Sequence, residues 1–380
     1  MERSTSSSRR PRVRRRHLPP ALLAIMLAAS CSDSVTDSMA PSSPNQVIAP
    51  APPNSDPYVA TELPLPAGYW WGSARAINTA GVVVGVAGNN TEHRAVKWVN
   101  GQPALLGGAA IGYLLESEAR DVDDAGRIVG FVRYSLFSTA THAAVWDANS
   151  SVARVMTGSQ PFTDNSVANA ISPSGLAVGE SWTVNSGGTA GPGRPVVFTV
   201  STGVASLLPL PSGYAQGEAT DISGSDGIAG STQGRGIVWQ RGIFTQAFIP
   251  RLLDPSIIRA KSIGNDGTVF GIRAVGPQLS NPEAVRIAPS GSVQVMWNAD
   301  LCGTYGSTAF AISSPSLKGR VVGCGSPPRT WYNGGGAQLP LPSGSLGATP
   351  LGVNTCGTIV GEAPVNGQIR PIIWRKTKCD

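Results

Sequence analysis

The sequence predicts an all-β protein, a seven-bladed β-propeller closed by its N-terminal strand. Three observations predict it. Gly (46) and Pro (31) make up about a fifth of the 380 residues, which suits short strands joined by tight turns. One four-strand unit recurs seven times, with starts 41 to 51 residues apart. The phrase LPLP occurs at Leu63, Leu208 and Leu339, and its first copy precedes the first unit.

The N-terminal residues come before the folded part. Residues 1–30 hold seven Arg and a single acid, Glu2, followed by the apolar stretch Ala21–Ala29. A basic region, a short apolar region and small residues form an export signal, too short for a spanning helix. The pI of 9.2 comes from this segment, because the rest carries 22 basic and 22 acidic residues. The usual inference from basicity to nucleic acid therefore fails.

LAASC ends at Cys31 and resembles the lipobox of bacterial lipoproteins. That resemblance implies that Cys31 is lipidated and anchors the protein to a membrane. Ser32, rather than Asp, resembles the pattern of lipoproteins sent to the outer membrane or cell surface. Residues 32–58 are rich in Ser, Pro and Ala and too poor in apolar residues to offset their ordering entropy. The expected organisation is a signal peptide over 1–30, a lipidated Cys and disordered tether over 31–58, and one propeller over 59–380.

Each repeat starts with Ile or Val followed eight positions later by Gly. The pairs are Ile77/Gly85, Val122/Gly130, Ile171/Gly179, Ile222/Gly230, Ile263/Gly271 and Val353/Gly361, with a longer spacing in Ile312/Gly323. Strand a ends at the Ile or Val, and a turn such as NTAG or DDAG leads to strand b. Strand c ends in Trp98, Trp146, Phe198, Trp239, Ile287, Trp331 or Trp374. A second turn leads to strand d. Asn, Asp and Gly suit such turns because they accept positive φ. Four strands in 40–50 residues is the signature of a propeller blade.

ARAINTAGVVVG (Ala74–Gly85), ARDVDDAGRIVG (Ala119–Gly130) and HAAVW (His142–Trp146) are similar to the extracellular HAF repeat of bacterial secreted proteins. The resemblance covers about residues 63–374 and implies a propeller-like architecture and an external location. It implies no particular activity.

Repeat seven lacks a fourth strand after Trp374, while ATELPLP (Ala60–Pro66) is a spare d-type strand. Pairing the two closes the ring and removes an exposed edge. The Pro residues of the LPLP phrases are then expected on outermost strands, where a missing N–H is harmless.

Four Cys follow Cys31. In the blade scheme Cys356 and Cys379 lie on one face, and Cys302 and Cys324 on the other, so these two pairs are the expected disulfides. Nothing points to a cofactor or a metal. His93 and His142 occupy repeat positions, without the motif of a serine hydrolase. DVDDAG and DISGSDG lack the ligand run of a calcium loop.

Four residues before the terminal residue of strand c lie Arg94, His142, Arg194, Arg235, Glu283, Pro327 and Arg370. The cationic members read either as an anion site or as salt-bridge partners of carboxylates such as Asp121 and Asp221 in the next blade. Tyr69, Trp70, Trp71 and Tyr214 read as sugar-stacking platforms or as packing.

The functional expectation is a monomeric, envelope-anchored binding scaffold for a surface glycan or a protein, without catalysis. The alternative is a glycan-cleaving propeller enzyme using Glu118, Asp121, Glu218 and Asp221. Non-reducing peptide mapping of the secreted chain is expected to recover Cys302–Cys324 and Cys356–Cys379; any other pairing contradicts the blade faces assigned above.

Overall fold

The computed structural model describes residues 58–108, 114–134, 140–156, 165–184, 190–242, 247–275, 281–298, 321–323, 328–332 and 335–376. The signal peptide, Cys31 and the tether lie outside these residues, as do Cys302, Cys324 and Cys379. The described residues form strands and turns without a helix, in a β-propeller arrangement.

The first strand is β1 (Val59–Glu62). Repeat one contributes β2 (Trp71–Ile77), β3 (Val83–Gly88), β4 (His93–Val99) and β5 (Gln102–Leu105). Repeat two contributes β6 (Leu114–Val122), β7 (Ile128–Tyr134), β8 (Thr141–Trp146) and β9 (Arg154–Val155). Repeat three contributes β10 (Asn165–Ile171), β11 (Leu176–Trp182), β12 (Arg194–Thr199) and β13 (Val204–Leu207). In repeat four these are β14 (Glu218–Ile222), β15 (Ile228–Thr232), β16 (Arg235–Arg241) and β17 (Phe248–Leu252). In repeat five they are β18 (Ile257–Ile263), β19 (Val269–Val275), β20 (Asn281–Ile287) and β21 (Val293–Asn298). Repeat six supplies β22 (Val321–Gly323), β23 (Arg329–Tyr332) and β24 (Gly335–Gln338), and repeat seven supplies β25 (Thr349–Val353), β26 (Ile359–Val365) and β27 (Gln368–Arg375).

These strands form five sheets of four or more strands and a three-stranded sheet, instead of the seven separate four-stranded blades expected. The largest has eight strands: repeats one and two are joined by a single parallel bridge, His93 to Glu116. Repeat six shows three strands because its expected strand a falls among residues outside the description. The spare N-terminal strand does pair with the last one, β1 antiparallel to β27, with Val59 opposite Arg375 and Glu62 opposite Ile372.

Tight hairpins follow the turn chemistry. At Asn100-Gly101 and Asn366-Gly367 both central residues have positive φ, the geometry that matches strand twist in two-residue loops. The a–b turns are stitched to one another around the ring. Asn354 Nδ2 donates to Asn78 O at 3.1 Å, and Asn78 Nδ2 donates to Asp123 O at 3.0 Å. Ser174 donates to Asp226 at 2.7 Å, and Gly224 N donates to Asn265 Oδ1 at 2.7 Å. The first of these bonds joins repeat seven to repeat one.

The LPLP phrase lies just beyond the outer strand, contrary to the expectation that its prolines sit within it. β1, β13 and β24 end one residue before Leu63, Leu208 and Leu339. Each Leu is buried, and its N–H still reaches its own sheet, at Pro371 and Pro195 in strand c and at Pro328 just before it. The carbonyl of the following Pro then accepts the indole N–H of the next repeat. Trp98, Trp239 and Trp374 donate to Pro64, Pro209 and Pro340 at 2.7, 2.6 and 2.8 Å. Trp146 does the same to Gly107 at 2.8 Å. All four indoles are fully buried, so this bond satisfies a group that would otherwise be costly to bury. The rest of the phrase is a turn: Tyr69 N donates to Pro66 O, with Gly68 at φ +85.

In the described strands a, the pairing to strand b skips one residue, and opposite each skip lies the landmark Gly. The skips fall between Ala74 and Ala76, Ala119 and Asp121, Ala168 and Ala170, Ala219 and Asp221, Ala260 and Ser262, and Pro350 and Gly352. A Cβ on Gly130 would stand 1.9 Å from Glu118 O; on Gly85 and Gly361 the corresponding distances are 2.0 and 2.1 Å. The repeating Gly therefore exists to let the bulged strand a come close.

Gly130→Ala should destabilise the protein by about 3 kcal/mol or more, since backbone must move. Gly81→Ala, at φ +81 with nothing near its Cβ, should cost only about 1–2 kcal/mol. Denaturant unfolding of both variants checks the order.

Candidate functional site

The residue skipped in each bulge is Arg75, Arg120, Asn169, Thr220, Lys261 or Leu351. All six line one cavity of about 160 Å³. Because they come from the first strands of six repeats, the cavity lies on the propeller axis. Bulges re-aim side chains, and here the re-aimed residues are polar or charged except Leu351. Asp121 and Asp221 also line it.

The polar groups are linked around the ring. Glu118 Oε1 lies 3.3 Å from Arg75 Nε and 3.6 Å from Arg120 Nε. Arg120 donates to Asn169 Oδ1 at 2.5 Å, and Asn169 Nδ2 donates to Ala219 O at 2.8 Å. Thr220 donates to Ala260 O at 2.9 Å. The chain of contacts stops at Lys261, which makes no hydrogen bond or ion pair among the described residues. Burial lowers its pKa, and the charge of nearby Arg259 lowers it further, against the pull of Glu218.

The two aspartates hold backbone. Asp121 accepts from Val122 N and Ile171 N at 2.8 and 2.9 Å. Asp221 accepts from Ile222 N and Ile263 N at the same distances. Each thus joins its strand a to strand a of the next repeat. Burial, with the charge of Asp221 added, raises the Asp121 carboxyl to about 7.

A second cavity, about 300 Å³, is lined by Glu180, Glu218, Gln216, Ser231 and Arg259 among others. Burial and then the charge of Glu218 push the Glu180 carboxyl up to about 7, against the pull of Arg120.

The candidates from strand c are not part of the axial lining. Arg94 pairs with Glu92 at 3.0 Å, and Arg370 with Glu62 at 3.0 Å and with Trp70 O at 2.9 Å. These partners replace the expected Asp121 and Asp221. Arg235 donates to Leu253 O at 2.7 Å. Arg194 begins strand c of its repeat and His142 is the second residue of its own, and His142 has contacts of its own. Glu283 pairs with Arg273.

Trp71 packs edge-on against His93, with ring centroids 4.9 Å apart. Tyr69 donates to Glu92 at 2.5 Å, and its pKa is raised to about 12 by burial and by that bond. Trp70 is the exposed member at 39%. Cys356 is disulfide-bonded, and its partner lies outside the described residues. Among the described residues no group of three or more His, Cys, Asp or Glu is placed to hold a metal.

Sequence reasoning missed the bulge residues. The available signal was a variable polar position between the small residue and the Ile or Val that end strand a.

Solved structures share the fold. The chain is similar to a puromycin-hydrolyzing peptidase of Mycobacterium tuberculosis, with 12% identity, TM-score 0.56, and coverage of 80% of this chain and 52% of that one. It is similar to a puromycin hydrolase at 11% identity and TM-score 0.55, covering 82% and 52%. Against an oligogalacturonate lyase of Vibrio parahaemolyticus the identity is 9% and the TM-score 0.52, covering 83% and 93%. The chain spans about half the length of the two hydrolases. At these identities the likeness is one of fold alone. No family model matches the chain, and no curated protein is significantly similar to it.

The sign of the pH dependence follows from the raised carboxyls. Their contribution to stability is complete below their unfolded pKa values and is lost as pH rises through about 7. The melting temperature should carry a falling component between about pH 4 and pH 8, and Glu180→Gln should flatten part of it. Lys261→Met, which removes a half-buried, unpartnered cation, should raise the melting temperature at neutral pH.

Proposed function

We propose that the chain is an exported, lipid-anchored propeller of seven blades that serves as a binding scaffold for a surface glycan or a protein, without catalysis. Support for seven blades comes from the seven sequence repeats. Repeats one and two are distinct four-strand units that share a single bridge, and the three strands of repeat six occupy the places of b, c and d. The export signal, Cys31 and the resemblance to the HAF repeat support an external, membrane-anchored location. The anchor itself lies outside the described residues. Cys379, four residues after the end of β27 in the sequence, is the proposed partner of Cys356.

The observation that carries the binding reading is how the candidate catalytic carboxylates are used. Asp121 and Asp221 each spend both oxygens on backbone N–H groups. Glu118 lies between two guanidinium groups. Carboxylates held in this way are poorly placed to exchange protons with a ligand.

A glycan-cleaving enzyme is the second reading. What favours it is Glu180, raised to about 7 beside Glu218 in the larger cavity, as expected of an acid in acid–base chemistry. Glycan-array binding with no cleavage is the expected outcome for the full chain. Cleavage abolished by Glu180→Gln, and unaffected by Asp121→Asn, would establish the enzyme reading instead.

A further inference from the structure

We propose that the axial cavity is a binding site for a small organic carboxylate, anchored by Lys261 with Arg75 and Arg120. The proposal goes beyond the binding-scaffold reading, adding a small-molecule site to the propeller.

The first argument is a balance of donors and acceptors. Among the described residues, the side-chain oxygens of Asp121, Asp221 and Asn169 already accept hydrogen bonds. Both oxygens of Asp121 and of Asp221 take backbone N–H groups, and Asn169 Oδ1 takes Arg120. Arg75 and Arg120 share Glu118 Oε1 at 3.3 and 3.6 Å, and Arg75 Nε makes no hydrogen bond there. The unspent groups are cationic donors: the ammonium of Lys261, with three N–H bonds, and part of the two guanidiniums. A charged donor left without an acceptor in a cavity is complemented by a carboxylate.

The second argument is the way these cations reach the axis. Strand a bulges at the same step in six repeats, and the bulge places Arg75, Arg120 and Lys261 in the lining. Carboxylates share this space: Glu118 sits between the two guanidiniums, and Asp121 and Asp221 belong to the same lining, so the cation left without a contact partner is Lys261.

Size and wall chemistry narrow the class. A cavity of about 160 Å³ resembles the engineered 150 Å³ cavity that takes benzene, so the ligand has about six non-hydrogen atoms. Ala76, Ala170, Leu351 and Val353 also line it and offer apolar wall to a short carbon chain. A three-carbon 2-hydroxy or 2-keto acid fits both requirements, whereas inorganic phosphate would leave that wall uncovered.

The test is calorimetric titration of the full chain with lactate, with its uncharged isostere lactamide, and with inorganic phosphate. Lactate should bind one per chain, with lactamide and phosphate at least about tenfold weaker. Lys261→Met should weaken lactate by at least about tenfold, and the exposed Arg251→Gln should leave it unchanged. A readout without any variant is the rate of reductive methylation of Lys261 in the unmodified chain, followed by peptide mass spectrometry. Lactate should slow it and lactamide should not. The proposal is overturned if lactate does not bind, if lactamide or phosphate binds as well, if Lys261→Met binds as the parent does, or if Lys261 is not protected. Failure here together with positive glycan-array binding would remove the carboxylate site and leave the scaffold reading standing. Failure of both would remove the scaffold reading too.

Discussion

The close approach of strand a to a glycine on strand b is the constraint from which the rest of the structure follows. In each described repeat with a landmark Gly on strand b facing strand a, the inner strand carries an extra residue at that step, and the carbonyl two residues before it sits where a Cβ would otherwise be. A bulge of this kind bends and twists the strand and turns one side chain out of the sheet's alternation. Repeated around an axis, it puts one side chain per repeat into a common space. The cavity is therefore a product of backbone geometry, and its chemistry is set by whichever residues occupy the six bulges. The arrangement tolerates Leu351 and Arg120 equally, because the bulge depends on the glycine opposite and not on the side chain it displays.

A second recurring interaction holds neighbouring repeats together. Leu63, Leu208 and Leu339 fill the core between one sheet and the next, and the Pro carbonyl that follows each takes the buried indole N–H of the next repeat. A Pro is well suited to this place. The chain has just left the sheet, so no ladder partner needs its missing N–H, while its carbonyl remains free to accept. The copy at Leu63 stands at the junction of the two chain ends. β1 is hydrogen-bonded to β27 in repeat seven, and Pro64 receives Trp98 of repeat one. The segment from Val59 to Pro64 thus completes one repeat and latches the next.

Charge is distributed unevenly between surface and axis. The strand c cations Arg94 and Arg370 find carboxylates within or beside their own sheets, where exposed pairs contribute little to stability. On the axis, desolvation dominates. It raises Asp121 and lowers Lys261, the opposite shifts that burial imposes on an acid and a base. The axis is where this propeller gives up stability, and Asp121 and Asp221 offset part of that loss by bonding strands that the bulges would otherwise leave under-connected.

The architecture was legible in the sequence because it rests on local rules that repeat. Apolar alternation, Asn-Gly turns and the spacing from Ile to Gly each depend on a few neighbouring residues, and seven copies make them visible. The missing strand after Trp374 and the spare one at Val59 were legible by counting. The cavity was not, because a bulge does not alter composition: Arg120 and Lys261 look like ordinary solvent-facing residues until the extra residue in the strand turns them inward. Nor did the sequence indicate that Asp121 would bond to Ile171, since that contact exists only when two repeats are side by side. The sequence by itself determined the repeat, its turns and the closure of its ends. Tertiary structure decided which side chains share the axis, because only packing of successive repeats brings residues some fifty positions apart within hydrogen-bond reach.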